Sequence, residues 1–86
     1  MEISVELTLS PLQDSFEPAI ISFIKSLRAS GLKVIENPLS TQVYGDYNAI
    51  MSLLTVEIKN AFELIDNGVL FIKIVKSDRR DYEPHF

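Results

Sequence analysis

The side chains able to do chemistry in this sequence are few and scattered. Its only histidine is His85, next to the C-terminal residue, with no second group nearby in sequence to orient it as a base or ligand. Cysteine is absent, which removes disulfides, thiolate metal sites and thiol nucleophiles together. The carboxylates are spread over the polar positions of the predicted strands and helices rather than paired, the pattern of solvated faces. No Gly-rich phosphate loop, dinucleotide fingerprint, zinc-protease helix or nucleophile elbow occurs. The one dense charge cluster is Arg79-Arg80 between Asp78 and Asp81. It reads either as a solvated tail or as a segment that docks on a partner subunit, where arginine binds carboxylates in bidentate fashion. The expectation is a protein without catalytic residues, metal or cofactor. An enzyme would have to use groups that no spacing reveals, and fold alone excludes none.

Bulk properties narrow the partners. The formal net charge is -4, opposite to the basic stripe that phosphate neutralisation demands, so nucleic acid is not expected as a partner. Such a charge tolerates a small cationic ligand. No apolar run reaches the roughly 18 residues that would cross a bilayer. The sequence starts directly on a strand pattern, without the basic and apolar regions of a signal peptide, so a cytoplasmic location with no membrane partner is expected.

The elements that position these groups follow from periodicity. Ile3, Val5, Leu7 and Leu9 alternate with Glu2, Ser4, Glu6 and Thr8, the period of a half-buried strand that Ser10-Pro11 ends. Phe16, Ile20, Phe23, Ile24 and Leu27 form one stripe of a first helix, capped by Asp14 or Ser15 and stopped at Gly31. Leu32 to Asn37 and Thr41 to Tyr44 read as strands joined through Pro38, Leu39 and Ser40. Gly45-Asp46 stops the second of these and caps another helix. Its stripe runs Ile50, Leu53, Leu54, Glu57, Ile58, Ala61, Phe62 and Ile65, and Asn67-Gly68 ends it. The apolar, β-branched run Val69 to Val75 is a last strand.

The order β-α-β-β-α-β predicts an α+β, ferredoxin-like sandwich: a four-stranded antiparallel sheet with two helices on one face. It occupies residues 1–77, followed by a charged tail, 78–86. The other sheet face is left open. Phe71 and Val75 point to it if Leu70, Ile72 and Ile74 face the helices, and a small domain with an exposed apolar face favours association. The end of the first strand is expected beside the start of the third, bringing Ser10 and Pro11 to Ser40 and Thr41. Those hydroxyls either serve the turn or contact a ligand. Tyr44 and Tyr47 either pack on the sheet or offer a ring to a cation across an oligomer interface.

Three segments together resemble a family. They are Ile3-Ser4-Val5-Glu6-Leu7-Thr8-Leu9-Ser10-Pro11-Leu12, Asn37-Pro38-Leu39-Ser40-Thr41-Gln42-Val43-Tyr44-Gly45 and Lys73-Ile74-Val75-Lys76-Ser77-Asp78-Arg79-Arg80-Asp81. In order and spacing they are similar to the small thiamine-binding proteins, single-domain relatives of the YkoF-type thiamine and hydroxymethylpyrimidine binders. The resemblance implies the ferredoxin-like fold, dimers or tetramers, and non-enzymatic binding of thiamine or its pyrimidine moiety. Ser10, Pro11, Ser40, Thr41, Tyr44 and Tyr47 are then candidate ligand residues, and Phe71, Val75, Arg79 and Arg80 candidate oligomer contacts. Where relatives often continue strand one with Gly-Thr, this chain has Gln13-Asp14. A ligand-free interaction or regulatory module of the same fold is the alternative.

Overall fold

A computed structural model describes residues 1–86. Its elements are β1 (Glu2–Pro11), α1 (Glu17–Arg28), β2 (Lys33–Glu36), β3 (Thr41–Asp46), α2 (Tyr47–Glu63) and β4 (Gly68–Val75). The antiparallel sheet has the order β2-β3-β1-β4. Both crossovers place a helix on one face, which is the ferredoxin-like α+β sandwich.

The alternation in β1 works as the period of two requires. Ile3, Val5 and Leu7 are almost wholly buried beneath the helices, with Leu9 close behind. They meet Phe23 and Leu27 of α1, Ile50, Leu54 and Ala61 of α2, and Val43 of β3. Pro11 fits in β1 for a specific reason. Tyr47 N donates to Met1 O and Leu12 N to Asn67 O, which sets the ladder: odd residues of β1 turn their backbone groups to β3, even ones to β4. Pro11 is odd and lies beyond the last β3 partner, Thr41 opposite Leu7, so its missing N–H breaks no bond.

The helix ends separate local from distant control. Asp46 caps α2 as its position suggests: Asn48 N and Ala49 N donate to its carboxylate at 3.0 and 3.3 Å. Those donors and the N-terminal amine hold the Asp46 carboxyl below the usual carboxylate range, the Ala49 bond contributing most. Neither Asp14 nor Ser15 caps α1. Its N-cap is Phe16, with helical backbone angles and no side-chain bond, because Gln13 ties this loop elsewhere. Gln13 Nε2 donates to Ser15 O, and its Oε1 accepts from Asp66 N at the far end of α2. Gly31, at φ +82°, turns the chain two residues after the α1 cap. Gly68 does not end α2, which stops at Glu63, but opens β4. A Cβ there would lie 2.5 Å from Ile65 Cδ1 and 3.2 Å from Ser10 O, so close packing is its role.

Two expectations about packing change. Phe62, placed in the core by its stripe, is 44% exposed. The α2 stripe drifts toward β4, and nothing lies beyond that strand. The first residues after β4 fold back instead of leaving the domain. Ser4 Oγ donates to Ser77 O at 2.7 Å and accepts from Arg79 N at 2.8 Å. This fixes the chain against the open face and buries Ser4 to 7% exposure. Arg80 pairs with Asp78 at 2.9 Å and Glu2 at 3.5 Å. No helix is long and apolar enough to cross a membrane.

Candidate functional site

The β2–β3 connection is a two-residue hairpin closed by Asn37 N donating to Ser40 O. The Asn37 side chain stiffens it by accepting from Leu39 N and Ser40 N at 2.9 and 3.0 Å. Thr8 Oγ1 donates to Leu39 O from β1. At the hairpin end of β2, Arg28 makes a two-point pair with Glu36, at 2.6 and 2.7 Å. That pair lowers the Glu36 carboxyl and raises the Arg28 guanidinium, chiefly through the hydrogen bond between them. The hairpin is thereby held against α1.

Between hairpin and helix lies a cleft of about 180 Å3. Ile20, Phe23 and Ile24 of α1 give it an apolar wall, Leu7 and Leu9 a floor, and Thr8, Asn37, Ser40 and Thr41 its polar groups. Thr41 is 7% exposed and its hydroxyl has no hydrogen-bond partner in the chain. By contrast Ser40 Oγ is engaged, donating to Glu6 Oε2 at 3.0 Å and accepting from Gln42 Nε2 at 2.7 Å. The arrangement offers one free hydroxyl beside an apolar slot; the Glu6 carboxylate bonded to Ser40 Oγ lines the depression on the open face instead. It suits a flat ring with a polar edge. It has no nucleophile–base pair, and no group of three His, Asp or Glu side chains could hold a metal.

The register separates the residues singled out in the sequence. Ser40 and Thr41 share the cleft. Ser10 and Pro11 do not join them: Thr41 sits opposite Leu7, and Ser10 and Pro11 pair with Val69 and Gly68. Strand β1 overshoots β3 by four residues, roughly 13 Å at strand rise. Tyr44 lies on the open face opposite Ser4 and Lys33. There it lines a shallow depression of about 140 Å3 with Gln42, Lys73, Val75 and Arg79. Tyr47 is the first residue of α2, at the far end of β3 from the cleft. Phe71 and Val75 are on the open face, as the alternation of β4 requires, and Phe71 is 60% exposed. Arg79 donates from Nε to Ser77 Oγ. Glu6 was not singled out, although its place on the polar face of β1, between Gln42 and Lys73, follows from alternation and register together.

The largest concavity, a groove of about 520 Å3 between α2 and β4, is elsewhere. Six of its nine lining residues are apolar, and the polar ones are engaged along α2: Thr55 Oγ1 donates to Met51 O, and Lys59 pairs with Glu63.

No protein-family model matches the chain, and no curated protein does. Solved structures do. One from Streptococcus pneumoniae superposes with a TM-score of 0.84 at 22% identity, covering 91% of this chain and 89% of that one. A Thermotoga maritima protein, described as a candidate for thiamine biosynthesis or salvage, gives 0.81 at 19%, covering 90% and 85%. A Bacillus cereus domain of unknown function, DUF77, gives 0.76 at 11%, covering 91% and 78%. At these identities the likeness is one of fold, and this chain shares with them the ferredoxin-like sandwich.

Proposed function

We propose that this chain is a non-enzymatic, self-associating binder of thiamine or its hydroxymethylpyrimidine moiety, acting in the cytoplasm. The observation that carries the reading is the Thr41 hydroxyl, unpartnered within the chain and accessible from the hairpin cleft that this otherwise buried residue lines. An aminopyrimidine edge exchanges hydrogen bonds with such a hydroxyl while its ring lies against Ile20, Phe23 and Ile24. The cleft is smaller than the usual span of ligand pockets, about 300 Å3 and above, so it takes one ring. A thiazolium would lie outside its mouth, where the acidic balance of the chain favours a cation. The Thermotoga maritima neighbour, described as a candidate for thiamine biosynthesis or salvage, supports the ligand class. In this reading Thr41 and Ser40 contact ligand, whereas Ser10, Pro11, Tyr44 and Tyr47 lie outside the cleft.

The alternative, a ligand-free interaction module, draws on one specific feature. The polar groups of Ser40, Asn37 and Thr8 already bond within the chain. Calorimetric titration of the purified protein with thiamine, hydroxymethylpyrimidine and thiamine phosphate decides between the two. Saturable binding of the first two, lost in Thr41→Val, supports the ligand reading. A flat titration of folded protein up to millimolar ligand refutes it.

A further inference from the structure

The dipeptide Asn67-Gly68 closes the α2–β4 turn, and neither the core nor the hairpin cleft uses the Asn67 side chain. Asparagine before glycine carries chemistry of its own. Attack by the next residue's amide nitrogen on the carboxamide carbon closes a small imide ring, and glycine leaves that approach free of a side chain.

The chain has four asparagines, and the structure separates them. Asn37 precedes Pro38, whose nitrogen has no proton to lose, and its side chain is held by Leu39 N and Ser40 N. Asn48 and Asn60 lie in α2. The amide after Asn48, Ala49 N, donates to Asp46. The amide after Asn60, Ala61 N, is inside the helix, where the bond to the carbonyl four residues back occupies it. Asn67 differs on each point. It is exposed, and its side chain takes no part in the bonds that fix the turn. Leu12 N donates to Asn67 O at 2.9 Å, so the odd residues from Asn67 onward turn their backbone groups to β1. Gly68 therefore turns its N–H out of the sheet, on the side where β4 has no neighbouring strand. A free carboxamide and an unbonded amide nitrogen stand on adjacent residues of a turn.

The surroundings set the consequence. Two bonds tie this turn to the loop between β1 and α1: Leu12 N to Asn67 O, and Asp66 N to Gln13 Oε1. Gly68 is packed so closely against Ile65 and Ser10 that not even a methyl group fits. An added backbone atom has no room to be absorbed.

We propose that Asn67 is a site of spontaneous covalent modification, at which the Gly68 nitrogen converts the side chain to a cyclic imide that water opens to isoaspartate, releasing the α2–β4 turn from the β1–α1 loop. In the first step a bond forms from Gly68 N to Asn67 Cγ, the Cγ–Nδ2 bond breaks, and ammonia leaves with the proton of the Gly68 amide. In the second, water adds across one of the two imide C–N bonds. Opening at Cγ gives aspartate on an unchanged backbone. Opening at the α-carbonyl gives isoaspartate: the chain then runs through Cγ, one carbon longer, and the carbonyl that accepted from Leu12 N becomes a free carboxylate. Either product adds a negative charge. Water is the only co-reactant, and neither a ligand nor a second copy of the chain is required.

The test is incubation of the intact protein for weeks at physiological pH and temperature. Ion-exchange chromatography reads the charge, and peptide mapping by mass spectrometry separates aspartate from isoaspartate. Wild type is expected to accumulate a more acidic species with isoaspartate at position 67. Asn67→Ala, which the backbone tolerates because no non-glycine residue has positive φ, is expected not to. In the isolated isoaspartate species the amides of Leu12 and Asp66 should exchange roughly 10-fold faster. Freshly purified Asn67→Asp should keep wild-type protection, since its backbone is intact. Wild type that stays unmodified overturns the proposal, as does an acidic species that forms equally fast in Asn67→Ala. Isoaspartate at position 67 with Leu12 and Asp66 still protected overturns the release of the turn. If Asn67→Ala does not fold, the wild-type peptide map decides by itself.

Discussion

Phe23 and Phe62 sit on corresponding stripes of the two helices, yet truncating them should have very different consequences. Phe23 is 5% exposed and belongs to the main core; Phe62 is 44% exposed on the lip of the α2–β4 groove. Phe→Ala in a closed core costs about 3–5 kcal/mol, the sum of lost transfer energy and the cavity left behind. That applies to Phe23. Phe62 has little more than half its surface covered, and the space beside it is already open, so removing it creates no new closed void. Scaling by burial gives roughly 1.5–2.5 kcal/mol in the isolated subunit. For a domain of this size about 1 kcal/mol shifts Tm by roughly 4–8 °C, so Phe23→Ala should lose well over 10 °C and Phe62→Ala less than about 20 °C. Urea unfolding at two protein concentrations is the assay. Dilute samples report the subunit. At either concentration the Phe23→Ala deficit should remain the larger of the two. Equal losses for both variants in dilute protein would refute the packing argument. A Phe23→Ala loss below about 1 kcal/mol would remove Phe23 from the core.

Further outcomes follow from the same geometry. Thr41→Val keeps shape and removes an unpartnered hydroxyl, so stability should change by less than about 1 kcal/mol in urea unfolding while calorimetric affinity for the pyrimidine falls. Ser4→Ala strips the acceptor from Arg79 N–H and the donor from Ser77 O; a loss of about 1–3 kcal/mol is expected, with faster exchange of the Arg79 amide by NMR. Asp46→Ala should lower Tm through loss of the α2 cap, with Asp46→Asn intermediate. The pH dependence has a fixed sign. The carboxyls of Asp46, Glu36 and Asp78 are all held below their ordinary values, by the α2 cap bonds, by Arg28 and by bonds from Arg80 respectively. Their contribution is complete above the ordinary carboxylate range, near pH 4, and is lost as pH falls through the lowered values. Thermal melts between pH 6 and pH 2.5, within the span where carboxylates titrate, should show Tm falling only at the acid end, with a smaller fall in Asp46→Asn.

Element identity was legible because it is local. A strict alternation from Ile3 to Leu9, a stripe ending at Leu27 and a cap at Asp46 depend on neighbours within a few residues. The order of elements with right-handed crossovers left one sensible topology. The hairpin site was half legible: Ser40 and Thr41 mark the turn, but the register that moves Ser10 and Pro11 away from them does not show in either segment. Register is set by the whole ladder, and β1 overshoots β3 because β4 supplies partners for its last residues. The same distinction explains Gln13, which takes over the α1 entry through a bond to Asp66, 53 residues away, and Ser4, buried by a backbone segment more than 70 residues on. Alternation placed Ser4 on the polar face and could say no more. Whether a stripe residue such as Phe62 or Ile72 is covered depends on what lies beyond the strand it faces. The sequence by itself determined periodicity, caps and the acidic, cysteine-free chemistry. Only the tertiary structure decided which hydroxyl is left unpartnered in a cleft and which strand edge is left bare, because both are properties of pairings between distant segments.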